Sequence, residues 1–336
     1  MNCYLYDGID NYDYSSDVKN TFNVVKNSSR GDILTDFSRY SACYVFSNEN
    51  LSSYYPNFKM DDGHVLTVCG SGDQVLMAIL NGATSVDCFD TNRLSFYILM
   101  LKVYTIKYLD YDSFIYLFNI SSRTHNRTKI FENLYKLCEQ DIINNKLDSS
   151  QVDVMKIVMN FWLSFFRDIS FDLSGSVSSV SYTSSGSDFF PYLFKKRDES
   201  IYESSQRISY LNKDKFLNLK SKIDNCYIRF INKSLEQVFD FYDFSYDFIN
   251  LSNVFDYTSP SKFVDFIKSA KIGHLNNSGS IMANYSWSEP GSIDKINSVS
   301  AVIGAQQQII PNINFEGRSE ERRVGKECRS RWSPYH

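Results

Sequence analysis

Gly70-Ser71-Gly72-Asp73, followed at a distance by Asp90, is the group of residues in this chain whose types and spacing could do chemistry. Glycines reach positive φ and let a backbone approach a ligand closely, and a helix starting just after them offers N–H groups without intrahelical partners. A carboxylate at the end of the next strand can accept both hydroxyls of a ribose. The chemistry implied is the holding of an adenosine-containing ligand. Against it stands a plainer reading, a glycine turn in an ordinary α/β protein with Asp90 a solvated acid.

Which adenosine ligand is a matter of the neighbouring residues. The dinucleotide fingerprint G-x-G-x-x-G places a third glycine where this chain has Val75, which weakens a nicotinamide-dinucleotide reading. S-adenosylmethionine proteins use the same strand, turn and helix with no pyrophosphate to cradle. Their common acid two residues before the first glycine is here Val68.

The elements that must position these residues follow from the apolar pattern. Val65 to Val68 is an apolar run that breaks at the turn, Gln74 to Leu80 continues as a helix, and a second strand runs from 85 to 89 into Asp90. Leu94 to Tyr108 repeats at helical spacing, and Asp112 or Ser113 is expected to cap a short helix after it. Further strands are expected at 226–231, 246–252 and 280–286, with Asn277-Ser-Gly279 a turn and a helix from Ser261 after Pro260. The alternation predicts an α/β, Rossmann-like fold, mostly parallel with helices on both faces. Ligands then lie outside the C-terminal strand ends, where Gly70, Asp90, Asn232 and Ser252 fall.

Residues 1–58 are expected to form an N-terminal helical or lid segment, with Phe37 to Phe46 as its helix and Tyr40 and Tyr44 either closing over the ligand or packing in the core. The ligand-binding domain is assigned to 59–118 and 218–317, interrupted by a mostly helical insertion at 119–217. The aromatic segment Ile157 to Phe166 is expected to pack inside that insertion, peripheral membrane contact being the other reading. Residues 318–336 resemble a translated sequencing adapter and are left out of the fold argument. On that reading the natural chain is cut near Gly317, and the C-terminal hairpin usual in such sheets is truncated.

The 336-residue chain has a formal net charge of −4; the tail holds six Lys/Arg and three Asp/Glu, so the body is more acidic, with 29 basic and 36 acidic residues. No basic footprint for nucleic acid is present in that body. Cys3, Cys43, Cys69, Cys88, Cys138 and Cys226 form no C-x-x-C pair, and His125 and His274 are isolated, so no metal site is expected. His64 precedes the first strand, at the end away from the turn. The apolar helical runs are short or carry Lys102 and Lys107, so no transmembrane segment is expected, and the expected location is cytoplasmic.

Val68 to Leu76, Asp90-x-Asn92 and Leu109-Asp-Tyr-x-x-Phe114 resemble the betaine-lipid synthase family, S-adenosylmethionine:diacylglycerol 3-amino-3-carboxypropyltransferases within the class I S-adenosylmethionine-dependent methyltransferase superfamily. Leu251 to Tyr257 and Ala283 to Trp287 resemble further segments of it, and Gln74 stands where its members carry asparagine. The resemblance covers roughly 65–118 and 246–287. It implies S-adenosylmethionine as cofactor and transfer of its 3-amino-3-carboxypropyl group to a hydroxyl acceptor, a small molecule or a lipid. Gly70, Gly72 and Asp73 would then hold the methionyl portion, with Ser71 in the same turn, and Asp73 could also cap the helix. Asp90 would hold the ribose, Asn232 would lie near the adenine, and Asn92 and Ser252 complete the cofactor set. Asn253 and Asp256 would face the acceptor, with Asp256 as base or else a turn former ahead of Pro260. Three other readings stand beside this one: a methyltransferase, a non-catalytic adenosine-binding or interaction module, and an NAD-dependent oxidoreductase.

Overall fold

The computed structural model describes residues 2–5, 12–29, 40–119, 124–166, 169–170, 181–182, 190–194, 200–240, 244–254 and 260–283. In chain order these form β1 (Asn2–Leu5), α1 (Tyr14–Ser29), α2 (Leu51–Tyr54), β2 (His64–Val68), α3 (Asp73–Leu80), β3 (Ser85–Phe89), α4 (Arg93–Tyr108) and α5 (Tyr111–Phe118). Then come α6 (Thr124–Ile143), α7 (Ser149–Phe166), the two-residue strands β4 (Ile169–Ser170) and β5 (Ser181–Tyr182), α8 (Ile201–Arg207) and α9 (Lys213–Ile223). The last elements are β6 (Tyr227–Ile231), β7 (Tyr246–Asn250), α10 (Pro260–Ser269) and β8 (Leu275–Met282).

Among the described residues six strands make one sheet in the order β1-β6-β3-β2-β7-β8, and every neighbouring pair is parallel. Counted from β2, the order is that of a Rossmann-like sheet, whose direction of winding reverses between β2 and β7. Successive strand residues face opposite sides. Val65, Cys88, Phe230 and Phe248 join a large apolar cluster with α3, α4 and α9, while Leu66, Phe89, Ile231 and Ile249 join a second one under α10. Strands buried on both faces explain why these segments are continuous apolar runs rather than alternating ones.

Several expectations shift. β1 was not read from the polar N-terminal segment; it pairs with β6 and adds a parallel edge. The helix expected over Phe37 to Phe46 is absent from its described part, 40–46. The backbone there bonds to side chains: Asn92 Nδ2 donates to the Ser41 carbonyl at 2.9 Å and Lys102 Nζ to the Val45 carbonyl at 2.6 Å. Asp110 caps α5 in place of Asp112 or Ser113, accepting from the Ser113 N–H at 2.7 Å. The expected turn at Asn277-Ser-Gly279 lies inside β8, where the pairing with β7 slips between Leu275 and Ser280. Glycine there marks an irregular strand rather than a reversal. The expected C-terminal hairpin and the 318–336 tail lie outside the described residues.

The described residues of 119–217 are mostly helical, and their apolar side chains are continuous with the sheet's core. Trp162 Nε1 donates to the Tyr97 carbonyl at 2.9 Å, and Phe161 stacks on Tyr97 with ring centroids 3.7 Å apart. Phe161, Trp162, Phe165 and Phe166 are all buried. Among the described residues no helix is long and apolar enough to cross a membrane.

Candidate functional site

The turn after β2 is built by two glycines in the left-handed region, Gly70 at φ +52 and Gly72 at φ +84. Their requirements differ. A Cβ on Gly72 would meet Leu99 of α4 at 3.0 Å, so this glycine lets α4 pack against the turn. A Cβ on Gly70 would meet one side-chain atom, Gln74 Oε1, at 3.7 Å, so Gly70 serves the backbone conformation and leaves space beside it. Helix α3 begins directly afterwards, with Gly72 at its N-cap and no side-chain cap.

Asp90 closes on this turn from the end of β3. Its Oδ2 accepts from the Gly70 N–H at 2.9 Å and from Ser95 Oγ at 2.8 Å, and its Oδ1 accepts from the Asn92 N–H at 2.9 Å. The residue stays half-buried. Desolvation raises the pKa of its carboxyl, opposed by the hydrogen bonds from Asn92, Ser95 and Gly70. Asn232, after β6, donates from Nδ2 to the carbonyls of Asp90 at 2.8 Å and Thr91 at 3.1 Å. Gly70, Asp90 and Asn232 are thus brought together at adjacent C-terminal strand ends.

Three other residues of the expected cofactor set, Asp73, Ser71 and Asn92, are built into the scaffold instead. Asp73 is fully buried and is the first residue of α3, not its cap. Its Oδ1 accepts from Lys102 Nζ at 2.6 Å and from the Tyr210 hydroxyl; its Oδ2 accepts from the Ser47 N–H and, at 2.7 Å, from Ser71 Oγ. Four donors occupy the lone-pair directions of a carboxylate, so Asp73 has none left for a ligand. Ser71 is buried and spends its hydroxyl on Asp73. Asn92 caps α4, with Oδ1 accepting from the Leu94 N–H at 3.1 Å, and clips Ser41 and Cys43 through Nδ2. Tyr40 turns to α1, donating its hydroxyl to Asp17, which also pairs with Arg93 at 2.8 Å.

Beyond β7 the chain turns through Asn250, whose Oδ1 accepts from the Ser252 N–H at 2.9 Å, leaving Ser252 at φ +50. Ser252 Oγ donates to Glu49, and Glu49 Oε2 accepts from the Tyr54 hydroxyl at 2.9 Å. Asn250 Nδ2 donates to the Tyr55 hydroxyl at 2.9 Å, which in turn donates to the Gln74 carbonyl at 2.8 Å. A carboxylate from the N-terminal segment therefore stands at the winding reversal between β2 and β7. Sequence reasoning missed Glu49, because nothing in Ser47-Asn-Glu-Asn50 announces a partner 203 residues away. Asn253 lies beside Ser252 and is half-buried; as an amide it can orient a hydroxyl but takes no proton. Asp256 lies outside the described residues.

His64 sits at the opposite end of the sheet. There Asp87, fully buried, accepts from Arg229 Nε, from the Tyr246 hydroxyl at 2.9 Å, and meets His64 Nε2 at 3.0 Å. Arg229→Met is expected to lower stability by about 1–3 kcal/mol, by stripping Asp87 of its guanidinium. Ligand binding at the far strand ends should not change. A thermal melt run beside a binding titration measures both, and a loss of binding without a loss of stability would contradict this division.

Fold and site together define an α/β protein with a parallel, Rossmann-like sheet and a glycine turn bonded to a strand-end carboxylate. No family model matches the chain, and no curated protein matches it.

Proposed function

We propose that this chain is an S-adenosylmethionine-dependent transferase that moves the cofactor's 3-amino-3-carboxypropyl group to a hydroxyl acceptor. The observation that carries this reading is the bond from the Gly70 N–H to Asp90 at 2.9 Å, which couples a ligand-approaching turn to a carboxylate at the neighbouring strand end. The glycine and Asp90-x-Asn92 resemblance supplies the cofactor and the transferred group.

On this reading Asp90 accepts one ribose hydroxyl on Oδ1, its remaining positions being taken by Gly70, Ser95 and Asn92, the turn faces the methionyl end, and Asn232 borders the adenine. Glu49 is the carboxylate on the acceptor side, with Ser252 and Tyr54 holding its two oxygens in place. It takes the acceptor's proton as the acceptor oxygen forms its bond to the methionyl Cγ. The Cγ–S bond breaks, and its electron pair leaves the sulfonium as the neutral thioether of methylthioadenosine. In-line positioning and the base are the two contributions asked of the protein.

Incubation with S-adenosylmethionine and a panel of small and lipid hydroxyl acceptors, read by chromatography of the adenosine product, tests this. Methylthioadenosine formed in step with the acceptor adduct is the expected result. S-adenosylhomocysteine would make the protein a methyltransferase instead. Unchanged cofactor across the whole panel would favour a binding module.

A further inference from the structure

Gln74 is the second residue of α3, beside the glycine turn, and is 4% exposed. Its Oε1 is buried and meets no donor among the described residues. It points toward Gly70, 3.7 Å from where a Cβ on that residue would stand. A buried acceptor left without a donor is destabilising, and such an atom in a native fold calls for a physical explanation.

We propose that Gln74 Oε1 accepts a hydrogen bond from the α-ammonium of the cofactor's amino-acid end, whose carboxylate rests on the N–H groups that begin α3. The inference rests on the transferase reading above and adds the residue that recognises the amino-acid group. Three features converge on it. The cap position of α3 is Gly72, which brings no side chain to the first N–H groups, and a helix start favours an anion. Asp73, the acid of that first turn, is ion-paired with Lys102 at 2.6 Å, so its charge is balanced where the ligand carboxylate would sit. The space beside Gly70, itself half-buried, gives the ligand its approach to the amide. A neutral amide suits a zwitterion: it accepts from the ammonium without repelling the adjacent carboxylate.

The test titrates the full chain by calorimetry with S-adenosylmethionine and with 5′-methylthioadenosine, which lacks the amino-acid group, in wild type, Gln74→Leu and Gln74→Met. Both substitutions remove the acceptor and keep an apolar volume in its place, and thermal melts report whether each variant folds. The expected result is about a 10- to 100-fold loss of affinity for S-adenosylmethionine in both variants, the scale of one hydrogen bond to a charged group. Affinity for methylthioadenosine should stay within about twofold, and the melting temperature should be unchanged or higher. An equal loss for both ligands, or no loss for either, overturns the assignment while leaving the cofactor reading intact. Wild-type protein that binds neither ligand overturns both.

Discussion

Lys102→Met is expected to lower the unfolding free energy by about 3–5 kcal/mol, the usual cost of stripping one partner from a buried ion pair. Lys102 and Asp73 are both fully buried, and their contact at 2.6 Å joins the middle of α4 to the first residue of α3. Burial pushes the lysine's pKa down while Asp73 pulls it back up. The same ammonium bonds the Val45 carbonyl and lies 4.7 Å from the Phe46 ring centroid, so its removal also unhooks the segment that carries Glu49. Urea denaturation of Lys102→Met, Asp73→Asn and the double variant would measure the coupling. The double variant should lose less than the two single losses added together, since neither charge is then left unpaired. A loss below about 1 kcal/mol for Lys102→Met would show that the pair is not what holds the turn to the helix.

Asp90→Ala should produce a large loss of binding. Three internal donors already occupy Asp90, leaving one lone-pair direction on Oδ1 for a ribose hydroxyl; one charge-assisted hydrogen bond of about 1.5–3 kcal/mol sets the expected fall in affinity for S-adenosylmethionine at about 10- to 100-fold. The variant also leaves the Gly70 N–H, at 2.9 Å from Oδ2 in the native chain, without its acceptor. Asp90→Asn keeps one acceptor oxygen and should fall between the two. A pH series adds a sign. Binding needs the carboxylate form, and desolvation sets the Asp90 pKa above the ordinary value, so affinity should fall with acidification sooner than for an exposed aspartate. Methylthioadenosine should lose affinity in parallel, because it carries the same ribose. Unaltered binding in Asp90→Ala would sink the ribose assignment.

Read along the chain, β2, the glycine turn, α3 and β3 were legible because each is local. Apolar runs bounded by glycine mark the strands, and the turn forces a positive φ that Gly70 and Gly72 adopt. β6, β7 and α10 were legible for the same reason, with Pro260 at the first helical position. β1 was not, since four residues of an N-terminal segment have no period of their own and become a strand by pairing with β6.

The sequence by itself determined the α/β class, the parallel alternation, and the meeting of Gly70, Asp90 and Asn232 at one end of the sheet. Strand direction and helix phase are set by neighbours in the chain, and those three residues follow three strands directly. Only the tertiary structure decided the roles inside that frame. Asp73 reads from sequence as a ligand contact, yet Tyr210, 137 residues away, and Lys102 on the next helix take up its carboxylate. Glu49 carries no local signal, and nothing local to Gln74 marks its acceptor as unanswered. One gains its place by meeting Ser252 across the sheet's winding reversal, the other by being left beside the turn with an acceptor that no side chain among the described residues answers.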